Sequence, residues 1–409
     1  MSSLDKLKDS MQKTKSNPIS FSSSQYAWLV LAAVYFASVS APFNQFKVPP
    51  ILPTLMDRFS LNLSQGGLLM SSVALTSLIL ALPAGLIVQR FGFNLSGLFA
   101  LLCLAMGAGL GALSSGFQFL ILSRIVEGIG IGLIGVIAPA AIAQWFPPER
   151  QGTAMGIWAT WVPVGSLLMY NLAPFFSQTF GWQSVWWVGA AFCVITALFY
   201  GLIVRQPPQT NSGAEEKLPK NDFGQALANR DIWLLGGSFV CFNLVLVTLS
   251  TYYPTFLNEV YDYPLAQASF LTSIPNFVIL FSAPFAGWLS DRLNSRRLLF
   301  SIPFIAVMVM LLFPFRVHGT GIVILMIIQG LLIGAIPTAT FAAAAEIMRK
   351  PQWASLGLAV ILFSQYIGQL IGPVLFGNFV LQYGWFIAGL LLIPFSCIGF
   401  LTSWLVRVR

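Results

Sequence analysis

Apolar segments of about twenty residues follow one another through almost the whole chain, separated by short polar stretches. A helix of about 20 apolar residues is as long as the hydrocarbon core of a bilayer is thick. Only 8% of the 409 residues are charged, whereas soluble domains carry roughly 25%. A chain with so few charges cannot form a polar surface that is soluble in water. The sequence therefore predicts a protein that crosses a membrane many times.

Twelve spanning helices are predicted, with no cleavable signal sequence before the first. They cover residues 26–47, 64–89, 95–114, 118–145, 151–177, 183–204, 231–257, 265–289, 297–315, 320–348, 353–380 and 384–405, called spans 1 to 12. The polar residues 1–25 are predicted to form a cytoplasmic tail, and we expect span 1 itself to direct insertion.

Basic residues lie mostly on one side of these spans. With the N-terminus inside, all but four of the 21 Lys and Arg residues fall in the tail or in segments on the same side; the exceptions are Lys47, Arg58, Arg124 and Arg316. Basic residues accumulate on the cytoplasmic side of membrane proteins. We therefore expect both termini in the cytoplasm and the protein in the plasma (inner) membrane. The net charge of +8 then reflects topology, and no nucleic-acid partner is predicted.

The longest polar break, residues 205–230, divides the spans six and six. Its Pro, Asn, Ser and Gly residues are typical of a linker. The predicted organisation is an N-terminal bundle of residues 26–204, a cytoplasmic linker and a C-terminal bundle of residues 231–409.

Short motifs recur at a nearly constant distance in the two bundles. AGLIVQR at 84–90 returns as AGWLSDR at 286–292, and Glu127-Gly128 returns as Gln329-Gly330, each 202 residues later; Gly181-Trp182 returns as Gly384-Trp385, 203 residues later. Two parallel repeats of this kind are typical of transporters in which one bundle rocks against the other.

The chain resembles the major facilitator superfamily over nearly its whole length. The family's loop signature G-x-L-x-D-R-x-G-R-R is matched after span 2 and again after span 8, and Arg124, Gly128 and Gly130 match R-x-x-x-G-x-G on span 4. The resemblance implies an all-α membrane protein with 12 transmembrane helices in two pseudo-symmetric six-helix bundles. It also implies a secondary transporter that works by alternating access.

The family uses the loop signature as a charge latch that holds the outward-open state. The candidate latch residues here are Gln89 and Arg90 in the first copy and Asp291 and Arg292 in the second. Gln89 stands where the family has Asp, so the first latch would be neutral and weaker. The alternative is that these residues only set topology and form a tight turn.

Arg124 and Glu127 lie inside span 4, where each charge at the bilayer centre costs about 2.5–3.5 kcal/mol. They lie three residues apart on one helical face, which we expect to point towards the protein interior. Either one of them contacts substrate or carries a coupling proton, or they form a static ion pair. Lys47, at the outer end of span 1, is predicted to attract entering anions or to snorkel to lipid phosphates.

Polar side chains that interrupt apolar spans are the remaining candidates for substrate binding, because sites in such transporters lie between the two bundles. With Arg124 they are Tyr35, Asn44, Trp158, Trp161, Asn243, Tyr252, Asn276, Gln365 and Gln369. Gln365 and Gln369 share one helical face and can present two amides to one ligand. Each of these side chains can equally serve helix packing.

Two substrate classes remain open. Lys47, Arg124 and the few intramembrane acids favour a small organic or inorganic anion, as does a resemblance to anion and cyanate-type permeases. Trp158, Trp161 and the many Phe residues suit export of lipophilic compounds or cations, although span 5 departs from the drug-antiporter motif. We expect no enzyme activity, cofactor or metal site, and a monomer in the bilayer with protons as a possible coupling ion.

Overall fold

The computed structural model describes residues 23–205, 228–293, 295–348 and 351–408. The predicted tail up to residue 22 and most of the predicted linker, residues 206–227, lie outside the described residues. No strand occurs in the described part of the chain, which agrees with the predicted all-α membrane fold.

The helices of the first half begin with α1 (Ser23–Gln45), a 3₁₀ turn (Pro49–Ile51) and the short α2 (Leu52–Phe59). They continue with α3 (Leu63–Ala81), α4 (Ala84–Ala112), α5 (Phe117–Trp145), α6 (Pro148–Trp158), α7 (Trp161–Phe180) and α8 (Gln183–Ile203). The helices of the second half are α9 (Arg230–Tyr261), α10 (Leu265–Leu293), α11 (Arg296–Met310), α12 (Thr320–Ile347), α13 (Pro351–Leu390) and α14 (Ile393–Trp404).

Nine helical segments of the described chain are long and apolar enough to cross a membrane. Spans 5, 9 and 12 are not among them as continuous helices, and span 2 ends at Ala81 instead of residue 89, because α4 begins at Ala84. Span 5 is divided between α6 and α7, span 9 is the 15-residue α11, and span 12 is divided between the end of α13 and α14.

Prolines explain where spans 5 and 12 are interrupted. A proline lacks the N–H group for a helical hydrogen bond and clashes with the carbonyl four residues earlier. Pro163 lies four residues after Ala159, where α6 gives way to α7, and Pro394 lies four residues after Leu390, where α13 ends. Spans 5 and 12 were both predicted as continuous helices, and the structure corrects this.

The end of span 1 also differs from the prediction. It was predicted to run to residue 47, but α1 ends at Gln45 because Pro49 cannot donate to the Gln45 carbonyl. The 3₁₀ turn and α2 follow, and α2 was not predicted. We call the end of the molecule that contains this turn the outer end.

The two halves repeat the same backbone and packing details. Gly181 and Gly384 both adopt positive φ, 85° and 76°, with ψ of 160° and 168°, a conformation open to glycine without strain. Ser77 Oγ donates to the carbonyl of Gly128 over 2.9 Å, and Ser282 Oγ donates to the carbonyl of Gly330 over the same distance. The predicted pseudo-symmetry of two bundles is thereby confirmed, while their exact boundaries stay a prediction.

Large apolar side chains cover the sides of the helices that face away from the protein interior. Leu202, Leu86 and Phe281 are 76%, 68% and 64% exposed. Continuous apolar surface of this kind suits contact with lipid.

Hydrogen bonds that join the two halves lie in the outer part of the molecule. Tyr252 Oη lies 2.7 Å from the carbonyl oxygen of Leu63, where α3 begins, and Ser269 Oγ lies 3.4 Å from that of Pro50. Tyr170 Oη donates to the carbonyl of Ser250. The outer end of the molecule is therefore closed.

Candidate functional site: a buried charge cluster beneath the outer closure

The carboxyl end of α1 is capped by Arg124 from α5. Pro49 has no N–H group, so the Gln45 carbonyl cannot form its helical hydrogen bond. Arg124 Nη2 donates to this carbonyl over 2.7 Å, and Nη1 donates to the carbonyl of Asn44 over 2.8 Å. Nε donates to the carbonyl of Leu69 in α3 over 3.2 Å. Arg124 thus joins α5 to the main chains of α1 and α3, at a helix end whose dipole favours a cation.

Glu127, one turn further along α5, pairs with two cations. Its Oε2 accepts from Arg124 Nη1 and its Oε1 accepts from Lys47 Nζ. The three side chains, which we call the charge cluster, are all 0% exposed. Two cations and one carboxylate leave one excess positive charge inside the protein. The inward orientation expected for this face of span 4 is confirmed.

Lys47 makes all its polar contacts to side chains. Besides Glu127, its Nζ donates to Asn44 Oδ1 over 3.1 Å and lies 4.9 Å from the centre of the Trp186 ring. Asn44 Nδ2 donates in turn to Cys193 Sγ over 3.1 Å. The prediction that Lys47 snorkels to lipid phosphates is wrong, because α1 ends early and the turn after it carries Lys47 inward.

Glycines let the helices approach closely enough to enclose these charges. A Cβ atom at Gly128 would lie 2.4 Å from the carbonyl oxygen of Val73, and one at Gly130 would lie 2.4 Å from that of Ala100. A Cβ atom at Gly189 would lie 2.3 Å from Asn44 Oδ1. The glycines of span 4 therefore serve close helix packing, as expected for small residues in membranes.

An amide network lies next to the charge cluster and joins the two halves. Gln45 Nε2 donates to Gln369 Oε1 over 3.0 Å, and Gln369 Nε2 donates to Asn243 Oδ1 over 3.4 Å. Ser71 Oγ donates to the Gln369 carbonyl over 3.4 Å. The Gln45 carbonyl is also the group that Arg124 caps. One residue thus connects the charge cluster to α13 of the opposite half.

Tyr252 is fully buried and closes the outer end. Its hydroxyl lies 2.7 Å from the carbonyl oxygen of Leu63 and 2.8 Å from that of Pro373. Its ring packs against Phe376 and Trp385. Tyr252, on α9, therefore connects its own helix to α3 and α13.

Three predicted residues gather where α1 meets the junction of α6 and α7. Tyr35 Oη lies 2.8 Å from Thr160 Oγ1, and Trp158 Nε1 donates to Ser38 Oγ over 2.8 Å. Trp158 and Trp161 stack with ring centres 5.6 Å apart. All three predicted side chains are half-buried. Asn276 and Gln365 are half-buried on α10 and α13 and are not part of the amide network.

The loop-signature residues lie away from the charge cluster. Gln89, Arg90 and Arg292 are exposed, and Arg292 lies over the Trp288 ring at 5.3 Å. The side chain of Asp291 lies outside the described part of the structure, so its latch role stays a prediction. Arg296 of the second signature pairs with Glu346 at the end of α12, Nε to Oε2, over 2.8 Å.

Two residues of the site were absent from the predicted set. Gln45 could have been found from Pro49, because a proline four residues later removes the partner of its carbonyl. Trp186 gave no local signal, since a tryptophan near a helix start is common at membrane interfaces.

The chain matches the model of the Major Facilitator Superfamily over residues 34–322 and 265–409. It is 22% identical over 272 residues to the hexuronate transporter of Bacillus subtilis, covering 64% of this chain and 64% of that protein. It is 23% identical over 254 residues to a probable nitrate/nitrite transporter of Mycobacterium tuberculosis, covering 61% and 63%. It is 26% identical over 252 residues to a probable small intestine urate exporter of Homo sapiens, covering 57% and 50%. The aligned part thus spans less than two thirds of each relative.

Similar solved structures show the fold over most of the chain. A bacterial homolog of the human lysosomal transporter Spinster, in an inward-facing and unoccupied conformation, superposes with a TM-score of 0.79 at 18% identity, covering 93% of this chain and 97% of that chain. The same homolog in an inward-facing and occupied conformation gives a TM-score of 0.75. From the family match, the apolar helices and the repeated bundles, the chain belongs to the Major Facilitator Superfamily and is an integral, multi-pass membrane protein.

Proposed function

We propose that the protein is a secondary active transporter for a small organic or inorganic anion and works by alternating access. The observation that carries this proposal is the excess positive charge of the charge cluster, with Lys47, Arg124 and Glu127 all at 0% exposure. An uncompensated cation in a membrane interior is costly. An anion that entered the cluster would neutralise that charge, whereas a cation would add to it.

The relatives support the same substrate class. Hexuronate, nitrate, nitrite and urate, the compounds in their names, all carry negative charge. These compounds differ in size and shape, and negative charge is the property that they share.

Alternating access fits the way the two halves meet. The outer closure consists of hydrogen bonds from side chains to main-chain carbonyls and between amides, such as Tyr252 to Leu63 and Gln45 to Gln369. Such bonds contribute about 0.5–1.5 kcal/mol each, so the closure can open at moderate cost. An anion arriving from the outer side would then reach Lys47, which lies just before the Pro49–Ile51 turn.

Glu127 is the candidate for a coupling proton. It is the carboxyl group of the charge cluster, and the charged groups that face it are Arg124 and Lys47, with the Cys193 thiol beyond Asn44. We propose the plasma (inner) membrane as the location, both termini in the cytoplasm, a monomeric transporter and no enzyme activity. The bundle boundaries 26–204 and 231–409 belong to the same proposal.

The experiment that tests this function is a thermal-shift screen of the detergent-purified protein. Sodium glucuronate, nitrate and urate would be compared with tetraphenylphosphonium at equal ionic strength. A ligand that binds only the folded state raises the melting temperature by mass action. An increase with an anion supports the proposal, and an increase with the cation alone contradicts it.

Export of lipophilic cations remains the alternative that this screen distinguishes. The stacked Trp158 and Trp161 rings are the feature that would suit a cation. The buried excess positive charge opposes it, because like charges repel strongly where the dielectric constant is low.

A further inference from the structure

The two cations of the charge cluster are held in different ways. Arg124 uses four of its five N–H groups, and three of those four bonds go to main-chain carbonyls. The Lys47 ammonium instead contacts only side chains: the Asn44 amide, the Glu127 carboxylate and the Trp186 ring. Side chains can rotate away from a ligand site, whereas main-chain carbonyls at a helix end cannot.

The second bundle indicates why Arg124 is present. At the shift of 202 residues, Pro49 corresponds to Thr251 and Arg124 corresponds to Met326. Thr251 has an N–H group, and α9 continues as a helix to Tyr261. The Val247 carbonyl, the counterpart of the Gln45 carbonyl, therefore keeps its helical donor, and an apolar side chain fills the place of the arginine. Arg124 is therefore explained by the proline that it compensates.

The same comparison leaves Lys47 unexplained by packing. Its counterpart is Leu249, and the counterpart of Glu127 is Gln329. Both line a mainly apolar cavity in the second bundle, together with Leu246, the counterpart of Asn44. A bundle of this design thus folds with uncharged residues at these positions. Glu127 balances Arg124, so Lys47 supplies the excess charge.

Lys47 also lies where an opening of the outer end would reach it. The Pro49–Ile51 turn begins two residues later and packs against α7, α9 and α10. Ser269 on α10 lies 3.4 Å from the Pro50 carbonyl oxygen. Separation of the two halves at this end would lift α9 and α10 from the turn.

We propose that Lys47 is the cation that binds the anionic group of the substrate, that Glu127 is a built-in counter-anion which occupies Lys47 when substrate is absent, and that Arg124 is a fixed helix cap. This inference rests on the proposed transport of an anion. The anionic group of the substrate replaces the Glu127 carboxylate as the partner of the Lys47 ammonium. No covalent step is involved.

The test uses the full-length protein in detergent, with sodium glucuronate and sodium nitrate as probes. Glu127→Gln should lower the melting temperature without anion and bind the anion that the wild type binds at least about tenfold more tightly, since a charged competitor is gone. Lys47→Met should lose binding, and Lys47→Arg should retain it. The double variant Lys47→Met/Glu127→Gln keeps only the capped Arg124, so it should bind no anion. Leu249→Met, at the counterpart position, is the matched control and should bind as the wild type does.

The outcomes separate this inference from the proposed function. Wild-type affinity in Lys47→Met, or in the double variant, would overturn the role of Lys47. Equal or weaker binding in Glu127→Gln would overturn the role of the counter-anion. A wild-type protein that binds tetraphenylphosphonium but neither anion would contradict the proposed function itself, and the inference would fall with it.

Discussion

The guanidinium of Arg124 donates to the main-chain carbonyl of Gln45 over 2.7 Å, at the point where the first transmembrane helix ends. The bond exists because Pro49 cannot supply the N–H group that would otherwise satisfy this carbonyl. A proline at the end of one helix thus determines the need for an arginine on another. The Glu127 carboxylate and the Lys47 ammonium lie in the same buried space as this cap.

This relationship predicts that Arg124→Met destabilises the protein by several kcal/mol, because each buried carbonyl left without a donor costs about 1–3 kcal/mol, while Glu127 keeps Lys47 as its partner. The carbonyls of Gln45, Asn44 and Leu69 would each lose the Arg124 donor. Pro49→Ala in the same background restores an N–H group for the Gln45 carbonyl and should recover part of the loss. Melting temperatures of the wild type and both variants in detergent provide the measurement. If Pro49→Ala gave no recovery, the capping explanation would be wrong.

Close packing of α5 predicts that Gly128→Ala is destabilising. The added Cβ would lie 2.4 Å from the main-chain oxygen of Val73, and main chain cannot move aside as a flexible side chain does. We expect a loss of about 1–3 kcal/mol from overpacking. Gly109→Ala on α4 is the control, because nothing lies within 4 Å of its Cβ position. The two variants should therefore differ clearly in melting temperature, and equal melting would contradict this account.

The sequence carried enough information for the fold class and the repeat. Hydropathy gave the spans, and the pair Gly181 and Gly384 marked the same turn in both halves because positive φ restricts the residue type. The breaks at Pro163 and Pro394 follow from the same local chemistry. Local rules of this kind act over a few residues and can be read directly.

The partners of the charge cluster could be anticipated only in part. Arg124 and Glu127 lie three residues apart on one helix, so their pairing follows from helical spacing. Lys47 was expected at the mouth, because a helix drawn to residue 47 carries it outward. Its position depends on where α1 ends and on a contact 80 residues away in sequence. Likewise, Gln369 and Gln365 look equivalent on a helical wheel, and only the packing of α13 separates them.

Tyr252→Phe should favour opening of the outer end. The hydroxyl group holds the carbonyls of Leu63 and Pro373 at the junction of α3, α9 and α13, and its loss removes about 0.5–1.5 kcal/mol. Spin labels at Arg58 and Glu259, both exposed at the outer end of opposite halves, would report the change as a longer distance population. Phe376→Leu tests whether a packing change alone has the same effect. An unchanged distance distribution in Tyr252→Phe would contradict the role of this hydroxyl in closure.

The position of Glu127 predicts a specific loss of coupling. If its carboxyl group carries the coupling proton, proteoliposomes with an alkaline interior should accumulate anion through the wild type. Glu127→Gln has no group to protonate between Arg124 and Lys47, so it should exchange anion across the membrane without accumulating it against a gradient. Glu259→Gln, a change of the same kind on the outer surface, should leave accumulation intact. Radiolabelled glucuronate or nitrate, whichever the wild type binds, provides the measurement, with the pH difference imposed and then collapsed by an ionophore. If Glu127→Gln still accumulates anion, and the ionophore still abolishes that accumulation, the coupling proton is carried by a different group. If Glu127→Gln loses both exchange and binding, Glu127 helps to build the anion site.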